Sequence, residues 1–268
     1  MTPNTFEVIA VQGVLGGAGE DAGVRFAAGY VDKMKPRDSE SFESMAAAAR
    51  APVGVERGVY AAGAIFKFGE LSIGAMDYYS ADILNIAYSE TRYSIPLMDR
   101  LRLQLAAQYA DQRSTGDDLL TGQAFSAGQF GLKAELAMGP ALLTAAYTGT
   151  GSGANMRNPW GGYPGYTSAQ DEDFDRRGER AAMLRAAYNF PPELGLSTHA
   201  LWVHGSHPDD ARESAQDEYD LDVQWRAGGG VLQGLKLLAR YAHVSRDGPG
   251  TPHQDDLRLV LYYDLPAR

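Results

Sequence analysis

The sequence predicts an all-β fold, an antiparallel up-and-down transmembrane β-barrel, and three observations support this prediction. Strand-length segments alternate in polarity, their connections are alternately short and long, and several segments approach the about 9–11 residues that a tilted transmembrane strand needs. Segment 130–138 alternates most clearly, with Leu132 and Leu136 on one side and Lys133 and Glu135 on the other. Because successive side chains of a strand point to opposite faces, this segment has an apolar face and a charged face.

A two-residue period identifies thirteen strand candidates along the chain, whereas a helical period occurs only weakly, around 41–49. In a typical candidate, Leu101, Leu103 and Leu105 lie on the face opposite Arg102. The candidates lie near 5–14, 23–34, 58–68, 71–79, 83–95, 100–113, 126–138, 141–150, 179–190, 196–206, 217–227, 234–246 and 255–265.

The connections between these segments differ in length at the two ends of the strands. Clearly short connections lie at 68–70, 138–140 and 191–195, and two connections fit the rule less well, at 15–23 and 80–82. The long polar connections lie at 36–57, 114–123, 151–178, 208–218 and 247–254. Transmembrane β-barrels have tight turns at one end and long loops at the other. With no linker or shift in composition, residues 1–268 are predicted to form one domain.

Composition excludes several classes of protein. The 268 residues include no cysteine, which excludes disulfides and thiolate metal sites, and the formal net charge of −10 argues against nucleic acid as a partner. Mean hydropathy is −0.30, and no apolar run approaches the about 18–20 residues of a transmembrane helix. The first residues show no basic region followed by an apolar stretch, so no signal peptide is expected in this chain.

The alternating pattern allows the apolar face to point either inward or outward. A soluble β-barrel or sandwich would place its apolar face inside and its charges in water. Strands longer than the about 5–6 residues usual in soluble sheets favour the outward solution. Aromatic residues near the segment ends also favour it, because membrane barrels carry aromatic girdles at both interfaces. These residues are Tyr78, Tyr79, Tyr93, Tyr109, Tyr188, Phe190, Trp202, Tyr262 and Tyr263.

Seven basic residues fall on the charged faces, in the middle of their segments. With the apolar faces in lipid, their side chains point into the lumen. They are Arg102, Lys133, Arg185, Arg226, Lys236, Arg240 and Arg258. Pairing with lumenal carboxylates is the alternative role, and it would only stiffen the wall. The candidate partners are Glu135, Asp220, Asp222 and Asp264.

Specific stretches of the sequence carry a family resemblance over the whole chain. The most distinctive is Arg-Asn-Pro-Trp-Gly-Gly-Tyr-Pro-Gly-Tyr-Thr-Ser at 157–168. The other stretches lie at 2–7, 35–37, 82–90, 108–112, 119–123 and 173–179. Together they resemble the OprD family of outer-membrane porins.

The resemblance implies both a fold and a function. Members of that family form monomeric barrels of about 18 strands that pass small, mostly carboxylate-bearing nutrients through a narrowed, arginine-lined pore. The chain is therefore expected to hold about 12–13 of these strands, as a barrel incomplete at its N-terminus. The expected function is passive, selective diffusion of amino acids, peptides or aromatic acids across a Gram-negative outer membrane. The seven basic residues would form the ladder that binds them.

The resemblance also implies partners. These are small anionic or zwitterionic solutes in the pore, outer-membrane lipid and lipopolysaccharide around the barrel, and the barrel-assembly machinery. A monomer is expected, without nucleic acid, cofactor or metal. The acidic residues at 171–175, 209–210 and 213–218 either attract cations to the mouth or form solvated loops, and the loop at 160–166 is expected to narrow the entrance.

Enzyme activity is not predicted. His199, His204 and His207 are the only histidine cluster, and no carboxylate or further histidine stands at a recognised metal spacing. The nucleophile-elbow pattern of serine hydrolases is absent from the sequence. The second hypothesis is a non-transporting β-barrel, which would be either a truncated structural outer-membrane protein or a soluble ligand-binding barrel.

Overall fold

The chain folds into one antiparallel sheet in which nearly every strand pairs with its neighbours in sequence. The computed structural model describes residues 4–16, 22–37, 39–161, 164–210, 213–248 and 253–264. The strands are β1 (Thr5–Leu15), β2 (Ala22–Lys35), β3 (Glu43–Ser44), β4 (Val59–Phe68), β5 (Leu71–Ser80), β6 (Leu84–Met98), β7 (Leu101–Arg113), β8 (Ser126–Met138), β9 (Ala141–Thr150), β10 (Arg180–Asn189), β11 (Leu196–Ser206), β12 (Gln216–Arg226), β13 (Leu235–Arg246) and β14 (Gln254–Tyr263).

All thirteen predicted strands are confirmed, each by one of the long strands, with bounds that differ by a few residues. Leu265, the last residue of the final predicted strand, lies outside the described residues. The two-residue strand β3 was not predicted. It pairs with β2 and leads into the helix α1 (Met45–Ala48), which lies within the weak helical period. The Ser44 side chain accepts a hydrogen bond from Ala47 N at 3.1 Å and so caps this helix.

None of the helices in the described part of the chain is long and apolar enough to span a membrane.

The two faces of the sheet differ as the alternation predicts. In β12, Glu218 and Asp220 lie on one face and are 0 % and 6 % exposed, whereas Leu221 on the other face is 47 % exposed. The same alternation leaves Leu184 in β10 and Leu259 in β14 57 % and 75 % exposed. The apolar side chains therefore form an outer face, and the charged side chains form an inner face.

Residues 151–161 and 164–178, in the connection between β9 and β10, pack on the inner face, and we call this connection the inner segment. Its apolar side chains Met156, Tyr166 and Phe174 are buried. Small side chains of the sheet leave space for these larger ones. Ala106 and Ala146, for example, pack in one cluster with Tyr166. One part of the buried core thus lies between the inner segment and the sheet, and another part lies around α1, where Met45 and Ala46 are buried.

The sheet ends at β1 and β14, and no other described strand pairs with the outer edge of either one. Both strands run from the end with long connections to the end with short ones. We call these the loop end and the turn end of the sheet.

Candidate pore-lining site

The inner segment crosses the inner face from one side of the sheet to the other. Trp160 Nε1 donates to the carbonyl oxygen of Met45 at 2.9 Å, beside β3. Asp171 reaches Arg258 of β14 at 2.7 Å. The sequence placed 151–178 among the long outer connections, whereas polar and apolar contacts hold this connection on the inner face of the sheet. Gly162 and Tyr163 of the predicted narrowing loop lie outside the described residues.

A glycine of β8 allows the inner segment to approach the sheet closely. A Cβ atom at Gly131 would lie 2.9 Å from Gln108 Cγ and 3.1 Å from Tyr166 Cδ2. The Gln108 amide, oriented to satisfy both neighbours, donates to Pro164 O at 3.1 Å and accepts from Tyr166 N at 3.2 Å. The absent side chain of Gly131 thus makes room for these two hydrogen bonds.

Tyr166 is an aromatic residue of the inner segment that contacts the wall. Its hydroxyl donates to Glu90 Oε1 at 2.6 Å, and Lys133 Nζ lies 4.7 Å from the centre of its ring. Burial raises the pKa of the Tyr166 hydroxyl above its ordinary value, and the hydrogen bond to Glu90 raises it further. Tyr166 therefore stays protonated and keeps this hydrogen bond over the physiological pH range.

Carboxylates of β12 hold the tip of the inner segment through its backbone. Glu218 accepts hydrogen bonds from Asp171 N at 2.8 Å and Glu172 N at 2.9 Å, and Asp220 Oδ2 accepts from Gln170 N at 3.1 Å. Three successive amides are thus bound to carboxyl oxygens of β12. Glu218, which the sequence placed in an outer loop, lies on a strand and faces inward.

A second cluster of acidic residues, Asp173, Asp175 and Glu179, lies where the inner segment leads into β10. Burial raises the pKa of Asp175 to about 7, and the nearby charges of Asp173 and Glu179 raise it as well. Asn158 Nδ2 lies 3.3 Å from Asp173 Oδ2 and 3.4 Å from Asp175 Oδ2. The Asn158 amide thus lies between two carboxyl groups, and the pKa of one of them, Asp175, is raised.

A cavity of about 450 Å³ lies between the inner segment and the wall. Basic side chains from four strands line it, namely Arg92, Lys133, Arg185 and Arg240, and His199 joins them. Arg185 has no carboxylate within 4.0 Å among the residues that the structure describes, and its exposed side chain adjoins this cavity. The cavity therefore presents a guanidinium group that is free to bind an anion.

The seven predicted basic residues all lie at inward-facing register positions, but they form two groups. Lys133, Arg185, Arg240 and Arg258 lie in the middle of their strands. Arg102 and Lys236 are the second residues of β7 and β13, and Arg226 is the last residue of β12. The expectation that all seven are central was therefore wrong for these three, which lie at the turn end.

Five of the seven basic residues form ion pairs. Asp222, Asp264 and Glu135 act as partners as predicted, whereas Asp220 instead binds the backbone of the inner segment. Arg185 and Arg226 have no carboxylate within 4.0 Å in the described part of the chain. The pairs are Arg102–Glu70 at 3.0 Å, Lys133–Glu135 at 3.3 Å, Lys236–Asp264 at 2.7 Å, Arg240–Asp222 at 2.8 Å, and Arg258 with Asp171 at 2.7 Å and with Asp256.

The sequence analysis did not identify Arg92 and His199 as residues that line the cavity. Arg92 on β6 pairs with Glu90 at 2.6 Å, and His199 Nε2 lies 3.5 Å from Asp222 Oδ2. The outward positions of β6 include the polar residues Ser89 and Thr91. The sequence of β6 therefore shows no clear apolar face, and the inward position of Arg92 could not be read from it. The two-residue period of β11 was the signal that could have placed His199.

The histidine cluster of the sequence does not form one site. His199 points inward to Asp222, whereas His204 lies on an outward position and its Nδ1 is 3.1 Å from Asp217 Oδ1. His207 contacts Ser206 at 2.9 Å.

Comparison with known proteins gives a family and a set of related folds. The model of the outer membrane porin, OprD family, matches residues 4–267. Among solved structures, OccK9 (OpdG) of Pseudomonas aeruginosa superposes with a TM-score of 0.78 at 20 % identity, covering 90 % of this chain and 62 % of that chain. OpdK of the same organism, solved with vanillate, gives 0.82 at 18 % identity, covering 97 % and 69 %.

A third structure, OccK2 (OpdF) of P. aeruginosa in complex with glucuronate, gives a TM-score of 0.82 at 19 % identity, covering 97 % of this chain and 71 % of that chain. No curated protein sequence matches the chain. At these identities the superpositions show the fold, an up-and-down β-barrel, and the chain spans 62–71 % of the length of these relatives. Because the family match covers nearly all of its residues, this chain belongs to the OprD family of outer-membrane porins.

Proposed function

We propose that the protein acts, as one barrel domain in the Gram-negative outer membrane, as a passive and selective porin for small solutes that carry a carboxylate. Amino acids, peptides and aromatic acids are the candidate classes. The observation that carries the proposal is Arg185, an exposed guanidinium beside the cavity under the inner segment, without a carboxylate partner among the described residues.

A guanidinium suits this task because its planar fork of N–H donors matches a carboxylate. Lys133 and Arg240 adjoin the same cavity, and each has its own carboxylate at 3.3 Å and 2.8 Å. Because each of these cations is paired with its own carboxylate, each holds an anion less tightly than an unpaired guanidinium does. An anion can therefore enter, bind Arg185 and leave, as conduction requires.

A path toward the turn end supports the same proposal. Arg226 at the end of β12 also lacks a carboxylate within 4.0 Å among the described residues, and it is paired in register with Lys236. An anion released from Arg185 would meet these groups next. OpdK and OccK2 were solved with vanillate and glucuronate, which are both carboxylates, and this agrees with the substrate class.

Uptake into proteoliposomes tests the proposal. The wild-type protein is expected to pass benzoate faster than benzyl alcohol, which has the same ring without the charge. Arg185→Ala should lower benzoate uptake about tenfold, the value of one charged hydrogen bond, and leave benzyl alcohol unchanged. Arg100→Ala, at the β6–β7 turn, is the matched control and should change neither rate.

Two results would contradict the proposal. Equal benzoate uptake by wild-type protein and Arg185→Ala would remove Arg185 from the path. No uptake by folded wild-type protein would leave the non-transporting barrel as the better description of this chain.

A further inference from the structure

A recess of about 860 Å³ lies on the lipid-facing side of the sheet, at the loop ends of β7 to β10. Its floor has almost no side chains. Gly128 and Gly149 occupy outward positions there, and Gly151 N donates to Gly128 O at 2.8 Å. The recess opens away from the pore, because the side chains that wall it lie at outward register positions, namely those of Tyr109, Phe130, Tyr147 and Arg180.

Aromatic rings form the wall of this recess nearest the membrane. Phe130 lies over Gly149, where a Cβ atom would come within 2.5 Å of its ring, and Tyr109 Oη lies 3.1 Å from the Cβ position of Gly128. The Phe130 and Tyr147 rings pack with centroids 6.0 Å apart. The glycines thus let the rings lie against the sheet, beside an open floor.

Two arginines border the recess on opposite sides. Arg113 of β7 binds Asp111 at 2.7 Å. Arg180 of β10 has no carboxylate within 4.0 Å among the described residues, and its register partner in β9 is Gly149. Among the described residues, the charged ones that line the recess are Asp111, Arg113 and Arg180, so its net charge is positive.

We propose that this recess binds the phosphorylated head group of an outer-leaflet glycolipid of the lipid A type. Long loops mark the outer end of a membrane barrel, and an aromatic girdle marks the depth of the head groups. One phosphate can take the Arg180 fork and the second phosphate the remaining donor of Arg113, because β7 and β10 are three strand spacings apart. An acyl chain can then lie along Phe130 and Tyr147. A pore substrate cannot reach the recess, because it faces lipid.

Native mass spectrometry of the full chain in detergent tests this proposal. Lipid A with both phosphates should bind at least tenfold more tightly than the same lipid after removal of its phosphates. Arg180→Ala should lower the lipid A affinity about tenfold, and the Arg113→Ala/Arg180→Ala double variant should lower it further. Arg100→Ala, an arginine at the turn end, should bind as wild type does.

A second variant tests the shape of the recess without removing charge. Gly128→Val places a branched side chain on the floor and should weaken lipid A binding while both arginines remain. Folding of each variant is checked by heat-modifiable gel mobility. If Gly128→Val fails to fold, the Arg180→Ala variant and the double variant still test the proposal, because both change only exposed side chains.

Three results would overturn the proposal. These are equal binding of the two lipids, unchanged affinity in the double variant, and binding of inorganic phosphate as tight as that of lipid A. Because the recess lies outside the pore, lipid A binding and benzoate uptake can fail independently of each other.

Discussion

Asp171 of the inner segment and Arg258 of β14 form an ion pair of 2.7 Å, with the Asp171 side chain only 4 % exposed. The pair joins residues that are 87 positions apart in the sequence. Arg258 also pairs with Asp256 on its own strand. Arg258 therefore fastens the inner segment to the wall, in addition to any role in attracting anions.

Removing Arg258 is expected to loosen the tip of the inner segment. Arg258→Ala leaves Asp171 buried without its cation, and burial already raises the pKa of Asp171. The free energy that holds the inner segment against the wall should fall by an amount on the order of 2 kcal/mol. This is less than for a fully buried pair, because Arg258 is partly exposed. Hydrogen exchange at residues 170–172 should become faster, and single-channel conductance should rise. Unchanged exchange and unchanged conductance together would show that the pair does not hold the segment.

Glu218 is expected to be the stronger anchor, because it accepts two backbone hydrogen bonds. Glu218→Gln replaces one acceptor oxygen by an N–H donor, which would face a backbone donor. Exchange of the Asp171 and Glu172 amides should therefore accelerate by about ten- to a hundredfold. Glu193→Gln, in the exposed turn before β11, is the control and should leave these amides as protected as in the wild type.

The inner segment is expected to loosen as pH rises through the pKa of Asp175, about 7. In the folded segment this pKa lies above its ordinary value, so between pH about 4 and 7 the folded form binds more protons than the released form. Its stability therefore falls with rising pH over that range. Hydrogen exchange of residues 151–178, corrected for intrinsic rates, should show less protection at pH 8 than at pH 5.

Asp175→Asn should abolish this pH dependence, because the amide stays neutral. The matched control is Asp117→Asn in the β7–β8 connection, which should keep the wild-type difference between pH 5 and pH 8. A difference of the same size in Asp175→Asn would assign the effect to another group.

A methyl group at Gly131 is expected to push the inner segment away from the wall. Gly131→Ala brings a Cβ atom to 2.9 Å from Gln108 and 3.1 Å from Tyr166, so both must move. The cost should be about 1–3 kcal/mol, as for other overpacked sites, and conductance should rise. Gly228→Ala, where a Cβ atom meets nothing within 4 Å, is the control. Equal conductance of the two variants would contradict this account of Gly131.

The strands and their faces could be predicted because lipid and lumen impose a two-residue period on every spanning segment. Leu221 and Asp222 are assigned to opposite faces by this period alone. The path of the inner segment could not be predicted, because it has no period. Its position depends on single contacts such as Trp160 with Met45 and the amides at Glu218.

The candidate site was predictable to the same extent. The period placed Arg185 and Arg240 on the inner face, but it could not say which of them is paired. The partner of Arg102 is Glu70 in a turn, and the partner of Arg258 is Asp171 in the inner segment. Neither pairing follows from a strand pattern, since both depend on how distant parts of the chain meet.

The anion selectivity of single channels tests the central claim most directly, that a free guanidinium beside the inner segment binds carboxylates on their way through. In a planar bilayer, benzoate added to the loop side should cause brief blocks of the wild-type current. In Arg185→Ala these blocks should shorten about tenfold and anion selectivity should fall. Blocks of equal length in both proteins, or a wild-type channel that prefers cations, would contradict the account.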